Sequence, residues 1–215
     1  MAMATTTPTT APTSLASVTL EVDDVEAARH FYTAFGVDTH IHLRPSQTPS
    51  TGFRGFTLGL TVANPATVDG FFGAAVDAGA TVLKPTAKSL WGYGGVVQAP
   101  DGTIWKIATS EKKDTGPDTN RIDDLILLLG VEAVKATRQF YVERGLTVAK
   151  SFGAKYTEFA PTHSSPVKLA LYKRSALAKD LGVPVEGTGS HRIVLGSTTA
   201  TFTDPDGFTW EAAAA

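Results

Sequence analysis

Apolar positions along the chain fall into two alternating rhythms. In SVTLEV, β-branched and aliphatic residues recur at every second place, the pattern of a pleated, half-buried strand. The next stretch, VEAARHFYTAFG, spaces Val25, Ala28, Phe31, Tyr32 and Phe35 by three and four residues, which puts them on one helix face that Gly36 can close. A strand over about 37–43 follows. The pattern then predicts a strand over 56–62, a helix over 66–78 stopped by Gly79, and strands near 81–84 and 94–98. Pro100-Asp101-Gly102 supplies a preset φ and then a residue free of Cβ strain, so it should turn the chain between two antiparallel strands.

The same order of signals returns about 105 to 109 residues later. DLILLL is followed by VEAVKATRQFYVERGLTV, with Phe140-Tyr141 at the place of Phe31-Tyr32 and Gly145 at that of Gly36. The two halves also close alike, APDGTIWKIA matching DPDGFTWEAA and Trp105 matching Trp210. Half two offers strands near 154–159, 167–172, 191–195 and 199–203, and a short helix over 175–181. Between the halves, EKKDTGPDTNR is polar and holds Gly and Pro, as a linker does. The boundaries that follow are a disordered Thr/Ala/Pro tail over 1–14, a domain over 15–110, the linker 111–121 and a domain over 122–215.

Composition removes several functions. With a formal charge of −2 and no cluster of Lys and Arg, the chain lacks the electrostatic footprint of a nucleic-acid binder. Without cysteine there are no disulfides, thiolate metal sites or catalytic thiol. The N-terminus has neither a basic nor an apolar signal region, and no apolar run approaches the roughly 20 residues that span a bilayer. A soluble, cytoplasmic protein is expected, a monomer or homodimer whose partner is a small molecule. Gly-x-Ser-x-Gly, a helix-opening Gly-x-Gly-x-x-Gly and His-Glu-x-x-His are all missing, which disfavours hydrolase and dinucleotide chemistry.

The strand-helix opening with Phe-Tyr and the closing Pro-Asp-Gly-x-x-Trp-Lys/Glu, present twice, resemble the vicinal oxygen chelate superfamily of glyoxalases, bleomycin-resistance proteins and extradiol dioxygenases. The resemblance covers nearly everything but tail and linker. It implies an α+β fold, with tandem βαβββ modules forming two cupped, mostly antiparallel mixed sheets. In metal-using members it also implies ligands on the first and last strands of each module. In half one those places fall at Ser17, near Thr57 and at Lys106, which make no ligand set, and a lysine ammonium repels a cation. In half two they fall at Asp124, near Ala170, at His191 and at Glu211. Asp124, His191 and Glu211 form an oxygen, nitrogen, oxygen set suited to one divalent metal such as Fe, Mn, Ni or Zn. A one-residue shift of register would exchange Asp124 for Asp123.

Each of these residues also has a plainer reading. Asp123 and Asp124 can begin a strand in solvent, His191 can end one, Glu211 can be a surface carboxylate, and Lys106 can be ion-paired. His40 and His42, two apart on a predicted strand, suit its wet side. The segment SLWGYGG combines Trp91 and Tyr93 with flexible glycines, and such rings either stack on a planar ligand or cap the core. Phe53 and Phe56 suit a core or a cavity wall, and the repeated Trp105 and Trp210 suit structure. Two functions follow. One is metal-assisted lyase, isomerase or dioxygenase chemistry in half two, with Glu211 as the base. The other is metal-free binding or sequestration of a small molecule by Trp91, Tyr93, Phe53 and Phe56; a third, assembly, is weaker.

Overall fold

In the computed structural model, which describes residues 13–161 and 165–212, strand β1 (Leu15–Val22) buries Val18, Leu20 and Val22 and turns Ser17, Thr19 and Glu21 the other way. Helix α1 (Val25–Phe35) begins where the Asp24 carboxylate accepts hydrogen bonds from the Glu26 and Ala27 amides, and it stops at Gly36 with φ 83°. Its buried face is Ala28, Phe31, Tyr32 and Phe35, as their spacing predicts. The strand expected over 37–43 is replaced by a 3-10 turn over Asp38–His40 and then β2 (His42–Pro45). Buried Val37 anchors that turn, and His40 and His42 therefore do not share a strand face. The first half continues through β3 (Ser50–Gly52), β4 (Phe56–Thr61), α2 (Pro65–Asp77), β5 (Thr81–Ser89), β6 (Gly92–Gln98) and β7 (Ile104–Thr109).

The second half runs β8 (Asp124–Val131), α3 (Val134–Val142), β9 (Val148–Phe152), β10 (Tyr156–Phe159), β11 (Val167–Lys173), α4 (Arg174–Leu181), β12 (Gly187–Gly189), β13 (Ile193–Ser197), β14 (Phe202–Thr203) and β15 (Thr209–Ala212). The single strand expected over 154–159 is the second arm of a β9–β10 hairpin that turns at Gly153, with φ 61°. Helix α3 has no capping side chain of its own. Asp206, from the repeated Pro-Asp-Gly turn, reaches over instead and accepts from the Glu132 amide and the Thr137 hydroxyl.

Two large mixed sheets and one small one result. The eight-stranded sheet has the order β5-β6-β7-β4-β8-β11-β10-β9, the five-stranded sheet β14-β15-β13-β1-β2, and β3 pairs with β12 alone. Two complete βαβββ modules, β4-α2-β5-β6-β7 and β8-α3-β9-β10-β11, meet through antiparallel β4 and β8. Antiparallel β1 and β13 play the same part in the five-stranded sheet. Each large sheet thus takes strands from both halves of the sequence, and 111–121 is not a boundary between separate sheets. The reason is edge satisfaction: β7 covers one edge of β4, and β8 covers the other with Leu125, Leu127 and Leu129 beside Leu60, Leu58 and Phe56. The 111–121 segment is tied down at the start of α2, where Asn64 Nδ2 donates to the Gly116 and Pro117 carbonyls.

Inner faces of both sheets share one core with α1, α2 and α3. Trp105 and Trp210 lie fully buried at its centre, Trp105 against Tyr32 and Phe35 and Trp210 against Tyr141 and Phe202. Phe56 belongs to this core as well, which removes it from any binding surface. Residues 1–12 of the tail expected over 1–14 lie outside the described residues, but Thr13 departs from that expectation: its side chain is buried and its amide donates to the Arg144 carbonyl. Among the described residues no helix is long and apolar enough to cross a membrane.

Candidate functional site

Since β4, β7, β8 and β11 bury alternate residues in the core, the residues between them face outward on the cupped side of the eight-stranded sheet. The register lays Lys106, Gly59, Ile126 and Lys168 in one row across β7, β4, β8 and β11. The row beside it holds Ala108, Thr61 and Asp124. Lysines therefore stand at matching places on the last strands of both modules. Each is ion-paired: Lys106 Nζ lies 2.5 Å from Asp180 Oδ2, and Lys168 Nζ 2.6 Å from Asp124 Oδ1. Asp124 lies on this cupped face, where its partner is an ammonium of the same chain.

Helix α4 covers part of this face. Its apolar residues Leu177, Ala178 and Leu181 pack with Phe53, Val96 and Ile104 into a second, smaller core. Phe53 is buried there, with the Arg174 guanidinium 5.0 Å from its ring centroid, so it carries α4 rather than contacting a ligand. At the end of α4, Lys84 Nζ donates to the Asp180 and Lys179 carbonyls, a cation on the negative pole of the helix. Between this helix end and the β5–β6 hairpin lies a cavity of about 340 Å³, walled by Lys84, Lys106, Asp180 and Trp91 over a floor of Gly94 and Ala108. Trp91 stands at the hairpin tip, 85% exposed, at the mouth of this cavity. Tyr93 is differently placed, because its hydroxyl donates to Asp69 Oδ1 of α2 at 2.8 Å. It braces the hairpin on the helix and offers the cavity only its edge. With its partners 39% and 41% exposed, the Lys106–Asp180 pair contributes only about 0 to 1 kcal/mol. A ligand can therefore displace it cheaply.

The outer face of the five-stranded sheet is organised by a residue the sequence reading did not single out. Arg44 on β2 donates through Nε and Nη2 to Glu21 Oε1 (3.0 and 2.7 Å) and through Nη1 to both Glu211 oxygens (3.0 and 2.9 Å). It reaches from β2 across β1 and β13 to β15, which only a strongly cupped sheet permits. Burial alone would lower its pKa, but the hydrogen bonds and charges of Glu21 and Glu211 outweigh that and hold it above the ordinary arginine value. Ser17 lies in register with Gly196, and Gly196 with Glu211, so Ser17 and Glu211 sit on one face. The cation between Glu21 and Glu211 is a guanidinium.

His191 lies elsewhere. Its ring stacks on Phe208 at 4.0 Å, with Nδ1 2.5 Å from the Arg54 carbonyl and Nε2 3.1 Å from that of Asp206. Both ring nitrogens face backbone carbonyl oxygens rather than an open position where a metal could sit. Val194 is in register with Thr209, so His191 and Glu211 are offset by about five residues, roughly 16 Å at ~3.3 Å per residue. Asp124 belongs to the other sheet altogether. The proposed triad of Asp124, His191 and Glu211 is therefore not assembled, and no three His, Asp or Glu among the described residues cluster as a metal site. The shift to Asp123 does not repair it, since Asp123 precedes β8 beside Arg121. The physical reason is pairing: β13 adds to β1 and β8 to β4, so ligand places taken from one half in sequence are divided between two sheets.

No protein family and no curated protein matches the chain. Solved structures do. Glyoxalase I from maize (Zea mays) is 14% identical, covering 92% of this chain and 91% of that one, with a TM-score of 0.58. A variant of the same enzyme aligns at 12% identity over 93% and 92%, TM-score 0.59. A candidate dioxygenase from Bacillus subtilis aligns at 11% identity over 85% and 69%, TM-score 0.54. At such identities the likeness is one of fold.

Proposed function

We propose that this chain, which has the fold of the vicinal oxygen chelate superfamily, is a metal-free binding or sequestration protein for a small organic molecule. The ligand is held in the cavity between the β5–β6 hairpin and the end of α4. The observation that carries this reading is charge substitution. On the two cupped faces Arg44 pairs with Glu21 and Glu211, Lys168 pairs with Asp124, and Lys106 occupies the place where Glu211 stands in the other half. A divalent ion entering either face would have to displace a paired arginine or approach two lysines, and both raise its energy. The residues present do not fit a metal, so no reaction step is routed through one. A concave, largely pre-formed cavity of this size with an aromatic side chain at its mouth suits small-molecule capture.

Two measurements test the reading. Thermal shifts with Mn(II), Ni(II), Fe(II) and Zn(II), together with elemental analysis of protein purified without chelator, are expected to show no stoichiometric metal. Bound metal that disappears in Glu211→Ala or Asp124→Ala would overturn it. In a screen of flat organic compounds, Trp91→Ala is expected to weaken every hit by up to about tenfold, the worth of one aromatic contact. Hits that ignore this substitution place the ligand elsewhere.

A further inference from the structure

From the two rows of side chains that form the cavity floor, we infer that its ligand is a flat aromatic carboxylate. This rests on the cavity being the ligand site. Three adjacent strands carry Ala87, Gly94 and Ala108 in one register row, so nothing larger than a methyl rises from the sheet over that width. Gly92, in register with Ser89, extends the strip toward Trp91. Gly94 cannot be replaced without a clash, since a Cβ there would lie 2.6 Å from the Ile107 carbonyl, so the flatness is built into the sheet. At the other end the next row is Lys84, Val96 and Lys106, an apolar residue between two ammonium groups. At that end the cavity wall thus holds Lys84 and Lys106 against the single carboxylate of Asp180.

Planarity, apolarity and an excess of positive charge at one end describe an aromatic ring bearing an anion. The ring lies on the Ala87-Gly94-Ala108 strip beneath Trp91. The carboxylate takes the place of Asp180 on Lys106, and the displaced Asp180 carboxylate, already 41% exposed, turns to water. Asp180 is the stand-in for the ligand while the cavity is empty.

Calorimetry with 2-naphthoate and the uncharged isostere 2-naphthalenemethanol separates the possibilities. The carboxylate is expected to bind at least tenfold tighter than the alcohol. Asp180→Asn, which removes the internal competitor while keeping its shape, is expected to tighten naphthoate at least threefold and leave the alcohol unchanged. Lys106→Met should erase the preference for the carboxylate, with the melting temperature of each variant checking that the fold is kept. Equal binding of both compounds with no effect of Asp180→Asn would overturn the anion assignment and leave the cavity as a site. Binding of neither compound would overturn the cavity reading and the anion assignment together.

Discussion

Residues 1–110 and 122–215, made as separate polypeptides, are each expected to remain unfolded, and mixing them in equal amounts is expected to restore a single cooperative melt. The cut follows the repeat and spares every element, yet it removes β8 from beside β4 and β13 from beside β1. In β8 alone, Leu125, Leu127 and Leu129 are at most 1% exposed. At about 1.5 to 3 kcal/mol for each buried leucine, their loss amounts to roughly 5 to 9 kcal/mol, comparable to the whole stability of a domain. The unpaired backbone edges of β4 and β1 add to that cost. Circular dichroism and amide proton dispersion of each fragment and of the mixture decide the matter. A fragment 1–110 with dispersed amides and its own sharp transition would show that the halves are independent after all.

The second large effect concerns a hydroxyl. Tyr141 donates to Asp204 Oδ2 at 2.5 Å and accepts from Trp210 Nε1 at 3.1 Å, all within the core. Tyr141→Phe leaves both partners buried without it, at about 1 to 2 kcal/mol for each orphaned group, so a loss of about 2 to 4 kcal/mol is expected. The corresponding fall in Tm is roughly 5 to 15 °C. The repeat supplies a control. Tyr32 donates to Asp101 Oδ2, but Asp101 is partly exposed and Trp105 Nε1 has no hydrogen-bond partner among the described residues, so Tyr32→Phe should cost only about 1 kcal/mol. Equal losses in the two variants would refute the argument.

The acid side of the same network has a definite sign. Burial raises the Asp204 carboxyl above its ordinary value, against the hydrogen bonds from Tyr141 and the Phe208 amide that lower it. Because the folded state holds this proton more tightly than the unfolded state, the group favours folding most at pH below the ordinary carboxylate range. That contribution fades as pH rises through the raised folded pKa. Tyr141→Phe removes a donor and raises the pKa further, so its penalty should be smaller in acid than at neutral pH. Denaturant melts of both proteins across that range measure it.

Much of the fold is written in local pattern. The α1 face, the Pro-Asp-Gly turns, the two buried tryptophans and the βαβββ order follow from periodicity, turn chemistry and the repeat, because each is decided by residues within one or two turns of chain. The failures have one cause. The segment 37–43 carried apolar residues that read as strand, but Val37 was drawn into the core and the chain had to turn before β2 could pair. Arg44 gave no signal at all, being one basic residue on a short predicted strand, and Asp180 lay on a helix that nothing in the pattern placed inside a cup.

By itself, then, the sequence determined most of the secondary elements, the duplication and the fold class, since these depend on spacing that every chain segment carries with it. The tertiary structure alone decided which strands became neighbours, and so which charges met. It joined β4 to β8 and β1 to β13, parted Asp124 from Glu211, and set Arg44, Lys168 and Lys106 against carboxylates far away along the chain. Pairing across a sheet edge is a contact between distant segments, fixed by which edge remains unsatisfied once the others are filled, and that information is not local.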